Sequence, residues 1–445
     1  MPPTQYTRTR DGSSVAYQVW GDGPPNLTWF PFIWGHLEIQ WEEPGFRRAL
    51  ERFGSMARVA QFDKRGSGLS DPLERASTLD DRMDDARAVL DACDMDRVFL
   101  GGLSEGGPLA LLFAATYPER VDGLILINTF AGPPADPWHP LVAAFLRAQQ
   151  EQFESFLDHW GDPDSPMVDS FAPSRAEDQT FRRWVARYTT NSMRPAAVRL
   201  AFQLATEMNV LSILPSIQVP TLVIHAQGDR VIPMLGGQAL AEAIPGARLE
   251  IFEGDDHMYV AGPLREPVID CVEEFVAGAR RRQTVFDRAL ATVLLTDIVD
   301  STATAERMGD GAWRRLLDAH DEVAARVIDD HSGRRVKSTG DGAMATFESP
   351  SRAIECALTL RDRAAGLGLE LRSGLHTGEI ELREDDIGGI AVHLAARVEA
   401  CAEPGDVLVS RTVRDLVAGS GFRFEDRGVH ALKGVAESWE LAAVV

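Results

Sequence analysis

Up to about residue 278 the chain alternates short apolar runs with helical patterns, and this alternation stops at an arginine-rich break. Leu27–Phe32, Ala57–Phe62, Val98–Leu103, Leu124–Asn128 and Thr221–Ala226 are the apolar runs. Strand and helix in alternation predict a mainly parallel sheet covered by helices on both faces. The stretch 133–215 is different: helical, rich in Trp and Phe, and interrupted by Asp and Pro at 161–166. It reads as a cap inserted over the C-terminal edge of the sheet. The break itself, AGARRRQTVFDR, carries Arg280, Arg281 and Arg282, and a new strand starts at Ala291. We expect a first domain at 1–278, a linker at 279–288 and a second domain at 289–445. A chain of 445 residues is long enough for two cores.

Composition excludes several classes of function. A formal charge of −22 argues against general binding to nucleic acid or to an anionic membrane surface. No run of 18 or more apolar residues occurs, and the first ten residues lack the apolar centre of a signal peptide, so a soluble, cytoplasmic protein is expected. The four cysteines, Cys93, Cys271, Cys356 and Cys401, have no metal-binding spacing and are expected to be reduced and buried.

Two segments carry chemistry. In the first domain, Gly102-Leu103-Ser104-Glu105-Gly106 stands between a strand and a helix, where small neighbours permit a strained turn that exposes a serine hydroxyl. Asp229 follows a later strand, and His257 lies in the loop Gly254-Asp255-Asp256-His257. In that order Ser104 attacks, His257 moves the proton and Asp229 holds the imidazole, with Asp255 and Asp256 as weaker candidates for the acid. The segment 11–278, including the FDKRGSGLSD run at Phe62–Asp71, resembles the α/β-hydrolase family. That resemblance implies an oxyanion hole from the N–H of Glu105 and one from the loop Pro31–His36. Phe32 stands there in place of the usual glycine, which alters or narrows the pocket. A small ester or thioester is the expected substrate.

In the second domain a strand ends on Asp297 and runs into a helix start, and RVKSTGDGAMATF places Asp341 at a hairpin tip. Two such carboxylates on neighbouring strands can hold divalent ions, and the peptide N–H groups after Asp297 can face a polyphosphate. TDIVDST, KSTGDG, LRSGLHTGEI, DDIGGIAVHLAARVEA and ALKG occur in an order that resembles the class III adenylyl/guanylyl cyclase family across 289–445. The resemblance implies an α+β domain with a ferredoxin-like core. It makes Asp297 and Asp341 ligands of two Mg²⁺ or Mn²⁺ ions, with the carbonyl of Ile298 assisting. Lys337 and Asp386 match the pair that selects the base; a lysine donor and an aspartate acceptor suit adenine, so ATP is the expected substrate. Arg397 matches the transition-state arginine, Lys433 the lysine on the triphosphate, and Arg372 a further phosphate-facing arginine. His393 stands where the family has asparagine, and reduced turnover is expected from it.

Sites in this family form across a head-to-tail dimer, and this chain carries both halves, so a homodimer with two sites is expected. The layout resembles hydrolase–cyclase fusions of actinobacteria. The expected activity is adenylyl cyclase, ATP to cyclic AMP and pyrophosphate, fused to a serine hydrolase. The alternative is an esterase whose cyclase domain binds nucleotide with little or no turnover.

Overall fold

The computed structural model describes residues 1–73, 77–132, 150–279, 288–338, 341–382, 387–431 and 438–445. The chain divides into two compact units, Met1–Val285 and Phe286–Val445. Helix Arg265–Ala279 ends the first, and a strand starting at Arg288 opens the second. The arginine run between them lies outside the described residues.

The first unit is built on an eight-stranded sheet. Its strands are β1 (Gln5–Arg8), β2 (Ser14–Trp20), β3 (Asn26–Phe30), β4 (Arg58–Phe62), β5 (Val98–Leu103), β6 (Val121–Ile127), β7 (Thr221–Ala226) and β8 (Arg248–Phe252). They are ordered β1-β2-β4-β3-β5-β6-β7-β8, with the β1–β2 and β2–β4 pairings antiparallel and the rest parallel. Strands buried on both faces should be apolar throughout, and β7 is buried at all six positions. Helix Gly106–Thr116 is likewise buried at every residue, as a helix apolar all round must be. It fixes the turn that precedes it.

The insertion between β6 and β7 is helical where described, with helices at Met167–Phe171, Gln179–Ser192 and Pro195–Glu207. Its aromatic residues pack on the loop after β3: Phe153, Phe156, Phe171 and Phe181 share one core with Ile33 and Trp34. The first part of the expected cap, 133–149, lies outside the described residues.

The second unit holds another eight-stranded sheet. Its strands are β9 (Arg288–Ile298), β10 (Arg334–Ser338), β11 (Ala343–Phe347), β12 (Leu371–Leu382), β13 (Ile387–Gly388), β14 (Val407–Ser410), β15 (Phe424–Ala431) and β16 (Ser438–Val444). The order is β10-β11-β9-β12-β14-β16-β15, with β13 paired to β12. Side chains alternate across a strand, and β9 uses both faces. Leu294 and Ile298 join the core formed with helices Asp310–Asp330 and Pro350–Gly366, while Val293 and Leu295 pack against Ala391 and Ala395 of helix Ile390–Ala400. Asp297 has the parity of Val293 and Leu295 and so projects toward the side of that last helix.

Cysteine burial corrects one expectation: Cys93, Cys271 and Cys356 are buried, whereas Cys401 is exposed. Cys401 is the C-cap of helix Ile390–Ala400, one residue past its last turn.

Candidate active sites

In the first unit the expected residues Ser104, Asp229 and His257 sit beyond the C-terminal ends of the parallel strands β5, β7 and β8. Ser104 follows β5 directly and has φ 53°, a left-handed conformation rare for a residue with a side chain. The turn is crowded enough to require glycine on both sides. A Cβ on Gly102 would lie 2.7 Å from the Gly107 Cα, and one on Gly106 would lie 2.7 Å from the Phe30 carbonyl oxygen. The strained residue is held by bonds at both of its backbone groups. Its N–H donates to the Ile127 carbonyl (3.2 Å), and its carbonyl accepts from Thr129 Oγ1 (2.5 Å).

Asp229 and His257 meet through a 2.7 Å hydrogen bond between Oδ2 and Nδ1, and both side chains are fully buried. The second Asp229 oxygen accepts from the N–H groups of Val231 (2.8 Å) and Ile232 (3.1 Å), so the carboxylate cannot swing away. His257 Nε2 is buried and has no hydrogen-bond partner among the described residues. A buried ring nitrogen left without a partner costs free energy unless a ligand or reacting group uses it. The two neighbouring acids have other roles. Asp256 accepts from the N–H and hydroxyl of Ser174 (3.0 and 2.6 Å) in the cap, and exposed Asp255 lies 3.4 Å from Arg230.

Phe32 lies against the imidazole, ring centroids 5.9 Å apart, and Phe171 of the cap closes on it from 5.3 Å. The imidazole therefore lies between an aromatic residue of the sheet loop and one of the cap. Two participants were not expected from the sequence. Asn128, just after β6, accepts from Ala226 N–H (2.8 Å) and donates to the His257 carbonyl (2.9 Å), joining β7 to the histidine loop. A polar residue closing the apolar run Leu124–Ile127 was the available signal. His225 is fully buried, its Nε2 2.9 Å from the Ile232 carbonyl, and burial holds it neutral by lowering its pKa.

In the second unit Asp297 and Arg372 face each other in the β9–β12 register. Arg372 donates to Asp297 Oδ2 from Nη2 (2.6 Å) and Nε (3.0 Å), and its Nε lies 2.7 Å from Glu399 Oε1. Asp341 precedes β11, whose first residue donates to Thr296 beside Asp297 (3.0 Å). Burial raises the Glu399 carboxyl above its ordinary range; Arg372 opposes this, while Asp297 and Asp341 add to it. Arg372, Asp297 and Asp341 thus all act on the Glu399 carboxyl. Glu399 was not singled out from the sequence, although it stands two residues after Arg397.

The remaining cyclase candidates lie elsewhere. His393 and Arg397 occupy the exposed face of helix Ile390–Ala400, whose other face, with Ala391, Leu394, Ala395 and Val398, is buried. Lys337 is exposed on the edge strand β10, and Ile298 is buried at the end of β9. Asp386 and Lys433 lie outside the described residues. Among the described residues no group of three or more His, Cys, Asp or Glu side chains is arranged to hold a metal. The donor set at Asp297 and Asp341, carboxylate oxygens with a nearby carbonyl, fits a hard divalent cation. Arg372 would share Asp297 with such an ion.

No described helix is long and apolar enough to cross a membrane. Comparison with known proteins matches residues 35–260 to the alpha/beta hydrolase fold and residues 287–442 to the adenylate and guanylate cyclase catalytic domain. A Rhizobium meliloti protein bearing the name of an adenylate cyclase is 34% identical over 157 residues, 33% of this chain. The match spans only 27% of that relative's own length. A 2-hydroxy-6-oxononadienedioate/2-hydroxy-6-oxononatrienedioate hydrolase of Cupriavidus pinatubonensis is 27% identical over 260 residues, 56% of this chain and 82% of that protein. An esterase of Thermogutta terrifontis superposes over 62% of this chain and 99% of its own, with TM-score 0.51 and 23% identity, a likeness of fold. This chain therefore belongs to the alpha/beta hydrolase family through its N-terminal unit, and behind that unit it carries a class III adenylate and guanylate cyclase catalytic domain.

Proposed function

We propose that the C-terminal unit is an adenylyl cyclase that forms cyclic AMP and pyrophosphate from ATP, and that the N-terminal unit is a serine esterase. The observation that carries the first half is the separation of the determinants within one chain. Asp297 stands near the end of β9 and Asp341 just before β11, the strand paired with β9, whereas His393 and Arg397 are exposed on one face of helix Ile390–Ala400. A second copy in head-to-tail arrangement would bring that face to the aspartates, so each site takes its carboxylates from one protomer and Arg397 from the other.

In this reading Asp297, Asp341 and the Ile298 carbonyl hold two Mg²⁺ or Mn²⁺ ions. When bound, such ions favour ionisation of the ribose 3′-hydroxyl and stabilise charge on the α-phosphoryl group. Arg397, donated by the partner, lies against the phosphoryl as the P–O bond to pyrophosphate breaks. His393 steadies the ribose in place of an amide, and Arg372 and Lys433 hold the outgoing phosphates. Lys337 donates to the adenine ring and Asp386 accepts from its exocyclic amine, which disfavours GTP.

In the N-terminal unit the Ser104 hydroxyl attacks an ester carbonyl while His257 Nε2 takes its proton, and the same nitrogen returns the proton to the departing alkoxide. Asp229 fixes the ring and stabilises the imidazolium. The N–H of Glu105 and one from the Pro31–His36 loop face the oxyanion.

Mixing Asp297→Ala with Arg397→Ala tests the shared site. Each variant alone should be inactive with ATP and Mg²⁺ or Mn²⁺, and the mixture should regain about a quarter of wild-type cyclic AMP formation, one site in half the dimers. No recovery despite demonstrated subunit exchange would remove the shared-site assignment. A second reading, an esterase whose cyclase unit binds nucleotide without turnover, is favoured by His393 in the asparagine position. It is supported if wild type binds ATP yet forms no cyclic AMP with either metal.

A further inference from the structure

The hydrolase unit seals three charged side chains beneath Ser104, and none of them belongs to the Ser104–His257–Asp229 set. Lys64 Nζ lies 2.5 Å from Glu105 Oε2, and Arg82 donates to the other oxygen, Oε1. All three side chains are 3% exposed. They come from separate elements: Lys64 from the loop after β4, Arg82 from the first turn of helix Leu79–Ala92, and Glu105 from the turn after β5. Arg82 is tied further by its Nε to Ser77 Oγ (3.2 Å).

Stability alone does not account for this cluster. Desolvating three charges offsets most of their mutual attraction, and apolar side chains of similar volume fill such a space as well or better. What the cluster does is local. Ser104 sits at φ 53°, a conformation that persists only where its surroundings impose it. The peptide plane between Ser104 and Glu105 is set by its two Cα atoms together with the Ser104 carbonyl oxygen, which Thr129 Oγ1 and the Gly107 N–H engage. The Ser104 end is held by Ile127 and Thr129. The Glu105 end is held by its own carboxylate, each oxygen engaged by a buried cation. The N–H of that peptide is the one that faces the oxyanion in the reading above.

We infer that Glu105 is a positioning residue for ester hydrolysis at Ser104, its carboxylate clamped by Lys64 and Arg82 so that the Ser104–Glu105 peptide N–H is aimed at the oxyanion. This rests on the hydrolase half of the proposed function. Charge states agree with the geometry. Burial works to raise the Glu105 carboxyl, but Arg82 and Lys64 outweigh it and keep it ionised. Burial lowers Lys64 to about 8 against the opposing pull of Glu105, so the ammonium persists at neutral pH.

The test uses the full chain, p-nitrophenyl butyrate as substrate and n-butylboronic acid as a probe that forms a tetrahedral adduct on the serine. Glu105→Gln keeps the side-chain shape and removes the charge. It should lower kcat by about 10²–10³-fold with KM within about threefold, since the misaimed donor serves only the tetrahedral state. Boronate affinity should fall by the same factor as kcat/KM. Lys64→Met leaves the Arg82 arm in place and should fall about tenfold in both readouts; it decides the matter if Glu105→Gln does not fold. A role confined to packing would raise KM or lower the unfolding midpoint without linking boronate affinity to kcat/KM, and that result overturns the inference. So does wild-type kcat in either folded variant. If wild type shows no hydrolysis that Ser104→Ala abolishes, the esterase reading fails and takes this inference with it.

Discussion

Around His257 two acids compete for attention, and one substitution at each separates their roles. Asp229 holds Nδ1, whereas Asp256 holds Ser174 of the cap. Asp229→Asn should slow fluorophosphonate labelling of Ser104 by on the order of 10⁴-fold, because the ring loses its orienting acceptor and its counter-charge. Asp256→Asn should slow it by less than about tenfold. The opposite ranking in pseudo-first-order labelling rates would reassign the acid. In the second unit, His376 is buried with Nδ1 2.9 Å from Ser410 Oγ, and burial lowers its pKa to about 4. Between about pH 4 and about 6.5 the unfolded chain therefore takes up a proton that the folded imidazole refuses. Stability from this group is full above that window and is lost as pH falls through it. Urea midpoints of the cyclase transition should accordingly drop more from about pH 7.5 to about pH 5 in wild type than in His376→Asn. Equal slopes would deny His376 that role. Ser104 was legible because its motif is local: glycines two residues on either side and a strand before it. Its supporting charges were not, since Lys64 and Arg82 lie 41 and 23 positions away from Glu105. No spacing rule joins such residues before the sheet is assembled.

At the scale of elements, the strand–helix alternation announced the first sheet, and the glycines mark where elements touch. Gly374 on β12 passes so close to helix Ile390–Ala400 that an added Cβ would overlap the backbone N of Glu399. That helix carries His393 and Arg397 on one side and Glu399 toward Arg372 on the other. Gly374→Ala should therefore push the helix outward, destabilising the cyclase unit by about 1–3 kcal/mol. Cyclic AMP formation should fall at least about tenfold, since small displacements of reacting groups are costly. Ser104 labelling should be unchanged. Wild-type cyclase activity in this variant would mean that the helix position is not critical. Sequence pattern located β9 and the hairpin around Asp341. It gave no hint that Arg372 bridges Asp297 and Glu399, because that contact depends on the β9–β12 register.

At the scale of the whole molecule, each unit owns its core. Leu27, Phe99, Ile125 and Ile224 are buried in the first, and Leu294, Ile354, Leu375 and Val409 in the second. Units with separate cores can unfold separately. Calorimetry of the full chain should resolve two transitions. Leu294→Asp, which places a charge in the second core, should remove only the cyclase transition while fluorophosphonate still labels Ser104. Joint loss of both would show that the units fold as one.

The cap leaves the first sheet after β6 and returns to β7, and its two ends meet where the Val210 N–H donates to the Ala131 carbonyl (2.7 Å). Its entry and exit are therefore adjacent whatever its length, and closure entropy rises by only about 0.6 kcal/mol per doubling of an insertion. Ser104, Asp229 and His257 all belong to the sheet and its loops, outside the insertion. Lineages could then exchange the cap wholesale, changing what is admitted to the serine without re-evolving the machinery that attacks it.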